Sequence, residues 1–245
     1  MFKKKTTSAQ KKPLRLISEK APFAYVEAYK ALRTNFNFAT SNGQKRIILI
    51  TSTLQDEGKS GLAINLAISL AQAGSKVLLI DADMRNPSLH RYLHIKTDAS
   101  RGLSTLLTGQ VKVRDCLITT EQGVDVIGSG LVPPNPTELI SSEAMRELLQ
   151  DMSKQYDYVI CDAPPVGIIT DAAALSPLCD GVLFVVRHRF AVRKQVHGAM
   201  RNLQSVNAKI LGTVLTQYAV RKDSEKYGYY HYSGGYGYGY ESEEK

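Results

Sequence analysis

The chain has 245 residues, 43% of them hydrophobic, which is enough for one sizeable α/β domain with tails. No apolar run approaches the ~20 residues needed to cross a bilayer, and no hydrophobic signal segment opens the sequence, so a cytoplasmic location is expected. The net charge of +8 comes without any nucleic-acid motif, and Cys116, Cys161 and Cys179 lack CxxC spacing, so they read as core thiols of a reducing compartment and not as a disulfide frame or metal site.

In chain order, residues 1–20 form a basic arm with Lys3, Lys4, Lys5, Lys11, Lys12, Arg15 and Lys20 against Glu19 alone. Such an arm is either a solvated, flexible leader or a contact for anionic lipid or an acidic partner. An amphipathic helix follows from about Ala24 to Phe38, with Tyr25, Ala28, Leu32, Asn35 and Phe36 along one face, until Asn42-Gly43 breaks it. Apolar runs then alternate with helical stretches. Strands are predicted at 46–52, 76–81, 124–129, 156–162, 181–187 and 209–216, and helices at about 59–73, 103–108, 137–153, 170–176 and 191–206. That spacing is the pattern of βαβ units, so the expected fold is a P-loop-type α/β domain over residues 21–220, its mostly parallel sheet flanked by helices on both faces.

Strand 46–52 runs into T-L-Q-D-E-G-K-S, residues 53–60, and then into a helix, with the spacing of a Walker A loop. Gly58 lets backbone N–H groups face phosphate oxygens and the helix N-terminus adds its positive end. Lys59 would reach the β and γ phosphates and Ser60 would ligate Mg²⁺. Thr53 stands where the first glycine of the loop is expected, and Asp56 and Glu57 make the loop acidic. At the end of the second strand lie Asp81 and Asp83, with Arg85 close behind, and at the end of strand 156–162 lies Asp162. Ligands of open α/β sheets gather at this carboxyl edge, so the three ends are expected to share one pocket. Asp162 in the Walker B place would hold the metal.

The last segment, 221–245, is low in complexity and reads as a flexible tail. Tyr227, Tyr229, Tyr230, Tyr232, Tyr236, Tyr238 and Tyr240 are seven of the chain's thirteen tyrosines, spaced by Gly and Ser and followed by Glu241, Glu243 and Glu244. With no Leu, Ile or Val between Tyr227 and Tyr240, the segment cannot repay the entropy of ordering itself.

These features together resemble the bacterial tyrosine kinases, P-loop-type enzymes that regulate capsule and exopolysaccharide synthesis. The likeness runs from about Ala24 to the tail. LLIDADMR (78–85) matches the family's second Walker-like motif, VICDAPP (159–165) its Walker B, PPNPTEL (133–139) a further loop, and the tyrosine run its C-terminal cluster. The resemblance implies an ATP- and Mg²⁺-dependent kinase that phosphorylates its own tail tyrosines, in the neighbouring subunit. It implies nucleotide contacts from Thr53, Asp56, Glu57, Gly58, Lys59, Ser60, Gly61 and Arg85, and metal ligation by Ser60, Asp81 and Asp162. Asp81 would be the base, supported by Asp83, with Lys59 completing the catalytic set. It also implies a ring-like homo-oligomer through Glu27, Lys30 and Arg33 of EAYKALR, where Lys30 replaces an arginine. Further implied partners are a transmembrane activator whose cytoplasmic tail recruits the kinase to the inner face of the membrane, a cognate tyrosine phosphatase, and protein substrates. Gln55-Asp56 replaces the family's Pro-Gly, and Thr216 replaces an asparagine near the adenine. Two other readings stand beside it: a switch ATPase of the septum-positioning or partitioning kind, which shares the motif order but would want a lysine where Leu54 stands, and a non-enzymatic, nucleotide-gated adaptor phosphorylated by other enzymes.

Overall fold

Alternation along the strands builds the domain. In the computed structural model, which describes residues 14–40 and 46–218, Ile48 and Ile50 face one side of the sheet and Leu49 the other. The same alternation sets Leu79 against Leu78 and Ile80, Ile160 against Val159 and Cys161, and Leu183 against Val182 and Phe184. Strands buried on both faces need cover on both, and helices supply it.

The described elements are α1 (Phe23–Ala39), β1 (Ile47–Ser52), α2 (Lys59–Ala71), β2 (Val77–Asp81), α3 (Leu89–Tyr92), α4 (Leu103–Leu107), α5 (Val113–Cys116), β3 (Leu117–Thr119), β4 (Asp125–Ile127), α6 (Pro136–Ile140), α7 (Glu143–Gln155), β5 (Tyr158–Asp162), α8 (Asp171–Leu175), β6 (Gly181–Arg187), α9 (Arg193–Gln204) and β7 (Ile210–Thr216). The seven strands lie in the order β3-β4-β2-β5-β1-β6-β7, parallel except for β3, which pairs antiparallel with β4. This is the doubly covered, mostly parallel α/β architecture expected from the βαβ spacing.

Three local expectations are corrected. The helix predicted over 137–153 is two helices, α6 and α7, because Ser142 leaves the helical conformation and caps α7 by accepting from the Met145 N–H. Strand β3 and the one-turn helices α3 and α5, each of three or four residues, were not foreseen. The inner face of α1 is Tyr25, Val26, Tyr29, Leu32 and Phe36, whereas Ala28 and Asn35, expected on it, are exposed.

Helix α2 is buried along nearly its whole circumference, from Leu62 to Leu70, because the sheet covers one side and α1 the other. Within this apolar rod stands Asn65. Its Oδ1 accepts the Ile17 N–H (2.7 Å), and its amide nitrogen donates to the carbonyls of Arg15 (3.0 Å) and Gly61 (2.9 Å). Of the arm predicted over residues 1–20, Leu14–Ile17 are therefore strapped to the domain, with Ile17 buried beside α2. Residues 1–13, and the whole tail 221–245 with its seven tyrosines, lie outside the described residues.

Candidate active site

The P-loop leaves β1 at Ser52 and re-enters helix at Lys59. Two turns of backbone at φ > 0 make the path: Gly58 at +92° and Asp56 at +63°, the latter in a region that L-residues other than Asn and Asp seldom enter. Glu57, read from the sequence as an acidic neighbour of the phosphates, points inward instead. It is fully buried, and one carboxylate oxygen accepts the Leu54 N–H at 2.6 Å while the other takes the N–H of Arg187 at 3.4 Å. The Glu57 carbonyl accepts the Thr216 hydroxyl at 2.6 Å, so the end of β7 also supports the loop. Gly61 faces the strap: a Cβ there would lie 2.7 Å from Leu14. Thr53 is buried and its hydroxyl has no hydrogen-bond partner among the described residues.

Asp81 and Asp162 end adjacent parallel strands and stand opposite one another in the β2–β5 ladder. Both are buried. Asp81 Oδ2 accepts the N–H groups of Ser88 (3.0 Å) and Leu89 (3.1 Å), and among the described residues neither Oδ1 of Asp81 nor Oδ1 of Asp162 has a partner. Burial, and then the charge of Asp162, push the Asp81 carboxyl up to about 8. Burial also raises Asp162, to about 6, against the pull of the Lys59 ammonium and the Ser60 hydroxyl beside it. Asp83 is raised by burial, and one of its oxygens holds the Asn86 N–H at 2.9 Å. Ser60 accepts a hydrogen bond from Ser88 at 2.8 Å.

Two buried carboxylates with a free oxygen each, a hydroxyl and a single buried ammonium are an unfavourable arrangement unless a cation joins them. The oxygen-only donor set of Asp81, Asp162 and Ser60 suits a hard divalent ion such as Mg²⁺.

Residues 45–212 match the AAA domain family. Over 205 residues the chain is 38% identical to tyrosine-protein kinase YwqD of Bacillus subtilis, covering 83% of this chain and 85% of that protein. The chain belongs to the bacterial tyrosine-protein kinases. Tyrosine-protein kinase CpsD of Streptococcus agalactiae is 37% identical over 205 residues, 83% of this chain and 87% of CpsD. The kinase domain of the Escherichia coli tyrosine kinase ETK superposes with a TM-score of 0.74 at 32% identity, over 91% of this chain and 88% of that domain.

In this bacterial tyrosine kinase Lys59, Ser60, Asp81, Asp83 and Asp162 gather at the carboxyl edge of the sheet. Arg85 is engaged elsewhere. Its guanidinium donates to both carboxylate oxygens of Asp171 (2.8 and 3.1 Å) and to the Thr137 hydroxyl (3.0 Å), and Thr137 also donates to Asp171. Burial would raise Asp171, but the Arg85 and Thr137 hydrogen bonds hold its carboxyl below the usual range. This knot ties the loop after β2 to α6 and α8 beside the site. The sequence marked the PPNPTEL loop that holds Thr137 but not Asp171, nor the pairing of either with Arg85. The available signal was Thr137 at the start of a helix and Asp171 opening another. Of the helix residues expected to support self-association, Glu27 and Lys30 pair with each other at 2.7 Å. Arg33 reaches inward to the carbonyl and hydroxyl of Ser69 on α2.

Proposed function

We propose that the chain transfers the γ-phosphoryl group of ATP to tyrosine hydroxyls, those of its own C-terminal cluster in a neighbouring subunit first among them, and thereby regulates capsule or exopolysaccharide synthesis. The observation that carries this reading is the pair of buried, unpartnered oxygens of Asp81 and Asp162 beside Lys59 and Ser60.

Lys59 and the N–H groups of the P-loop would hold the phosphates. Ser60 and Asp162, with Asp81 alongside, would hold Mg²⁺, whose chemistry there is to neutralise charge building on the phosphates. A phenol has a pKa of about 10, so near neutral pH its proton needs an acceptor. Asp81 supplies one in its ionised form, and the N–H groups of Ser88 and Leu89 fix its orientation. Asp83, pinned by the N–H of Asn86, supports it electrostatically. The partners in this reading are a membrane-bound activator that recruits the kinase to the inner membrane face, further copies of the chain in a ring, and a tyrosine phosphatase that resets the tail.

The test is to incubate the purified full chain with Mg-ATP and the activator's cytoplasmic tail, alongside Asp81→Ala, and to map phosphotyrosine. The expected result is phosphate on tail tyrosines, lost in the variant. Phosphate release without phosphotyrosine would sink the kinase reading in favour of a switch ATPase.

A further inference from the structure

Charge is segregated along this chain. From Gly181 to Lys222 there are eight Lys and Arg residues and no Asp or Glu. In the fold, Arg193, Lys194, His197 and Arg201 all lie on the exposed side of α9, with 193, 197 and 201 in one stripe at i, i+4 and i+8. Among the described residues no carboxylate pairs with Arg193, Lys194 or Arg201, and the hydrogen bond that Arg193 makes on this face goes to His197 (3.3 Å). Beside the stripe a cleft of about 280 Å³ opens between Leu54, Gly167, Gln195 and Gly198, flanked by the exposed Ile168 and Val192.

We propose that this face of α9 is a docking site for the chain's own tail once its tyrosines carry phosphate, the phosphates meeting the cationic stripe and the rings entering the adjoining cleft. The proposal rests on the tail being an acceptor, as argued above. Three observations select this occupant. Arg187 and Thr216 are partners at the ends of β6 and β7, so the chain leaves for its tail at the same sheet edge from which α9 starts. Tyr227 follows Tyr218 by nine positions, a reach of at most about 30 Å, whereas α9 is about 18 Å long. The charges are complementary: Glu241, Glu243 and Glu244 close the tail, and each phosphotyrosine adds about −1.5 to −2. Docking would remove the product tail from a neighbour's active site and hold it on α9.

The test uses a synthetic peptide of residues 227–245, phosphorylated at Tyr236, Tyr238 and Tyr240 or left unmodified. It is titrated against the full chain carrying Tyr→Phe at all seven tail positions. The phosphopeptide is expected to bind at least tenfold tighter than the unmodified one, and to lose at least tenfold in the Arg193→Glu/Lys194→Glu/Arg201→Glu variant and again at high salt. A melting curve checks that the variant folds, and the milder Arg193→Gln/Arg201→Gln pair should show a smaller loss in the same direction. Equal binding to wild-type and variant surfaces overturns the proposal, as does a stripe that captures phosphatidylserine vesicles while ignoring the phosphopeptide. Because the phosphate is installed synthetically, an inactive kinase would sink the proposed function and leave this result standing.

Discussion

Both edges of the sheet are lined with aspartates, and the two sets are treated in opposite ways. At the amino edge every one is answered: Asp180 accepts the N–H groups of Arg46 and Ile47 (2.8 and 2.9 Å), and Asp157 accepts that of Lys76 (2.8 Å). Asp125 takes the hydroxyls of Tyr156 (2.8 Å) and Thr119 (2.6 Å), one on each oxygen. At the carboxyl edge Asp81 and Asp162 are more deeply buried, yet each keeps an oxygen that nothing among the described residues answers. The first set closes strand ends and pins the amino ends of β1 and β2. The second stores an unmet demand for positive charge. Residue type does not separate the two sets; burial of an unanswered oxygen does.

The contrast is open to attack from its strongest side. Asp81→Asn should cost about 10²–10⁴ in the rate of tyrosine phosphorylation, the usual share of a positioned base, while the melting temperature without Mg²⁺, measured above pH 8 where Asp81 is ionised, holds or rises because a buried unpaired charge has gone. A stability loss matching the activity loss would show that Asp81 belongs with the structural aspartates after all. Asp180→Ala should do the reverse, lowering stability by about 1–3 kcal/mol by stranding two N–H groups and leaving the phosphorylation rate per folded molecule unchanged.

pH sharpens the same comparison. In the folded, metal-free protein the carboxyls of Asp81 and Asp162 stand at about 8 and about 6, above the ordinary 3.8. Across that interval the folded state holds more protons than the unfolded chain, so their contribution makes stability fall as pH rises from about 4 to about 8. Mg²⁺ should offset the penalty, and its effect on the melting temperature should be larger at pH 8 than at pH 6. An equal or smaller effect at pH 8 would remove these carboxylates from the metal site. The smallest expected effect belongs to Asp56→Gly, which places a glycine at φ +63° and takes a charge from the loop. It should stabilise the protein by up to about 1 kcal/mol and tighten ATP binding a few-fold in an equilibrium titration.

Much of this was legible in the sequence because it rests on period and punctuation. Strand β6 was predicted at its observed bounds, Gly181–Arg187, since an unbroken apolar run after Asp180-Gly181 has few other uses. The positions of Lys59, Asp81 and Asp162 followed from strand ends. What the residues alone did not reveal was direction. Glu57 turns into the loop and not toward the phosphates, because the N–H of Leu54 lies within reach of its carboxylate. Arg85 joins Asp171 and Thr137, which are 86 and 52 residues away in the chain and meet it only through the fold. Pattern cannot rank such long-range polar partners. The split between α6 and α7 was missed for a local reason, since both serines at the break are compatible with helix until one of them caps.

Asn65 is a mechanical link between the strap and helix α2. One amide side chain grips the backbone of residues 15 and 17 on one side and the first turn of the P-loop helix on the other. Tension applied to the amino-terminal arm is therefore delivered, through a single rivet, to the helix that begins at Lys59. Leu14 wedged over Gly61 stiffens the same joint. Whatever holds residues 1–13 also holds one end of the phosphate loop.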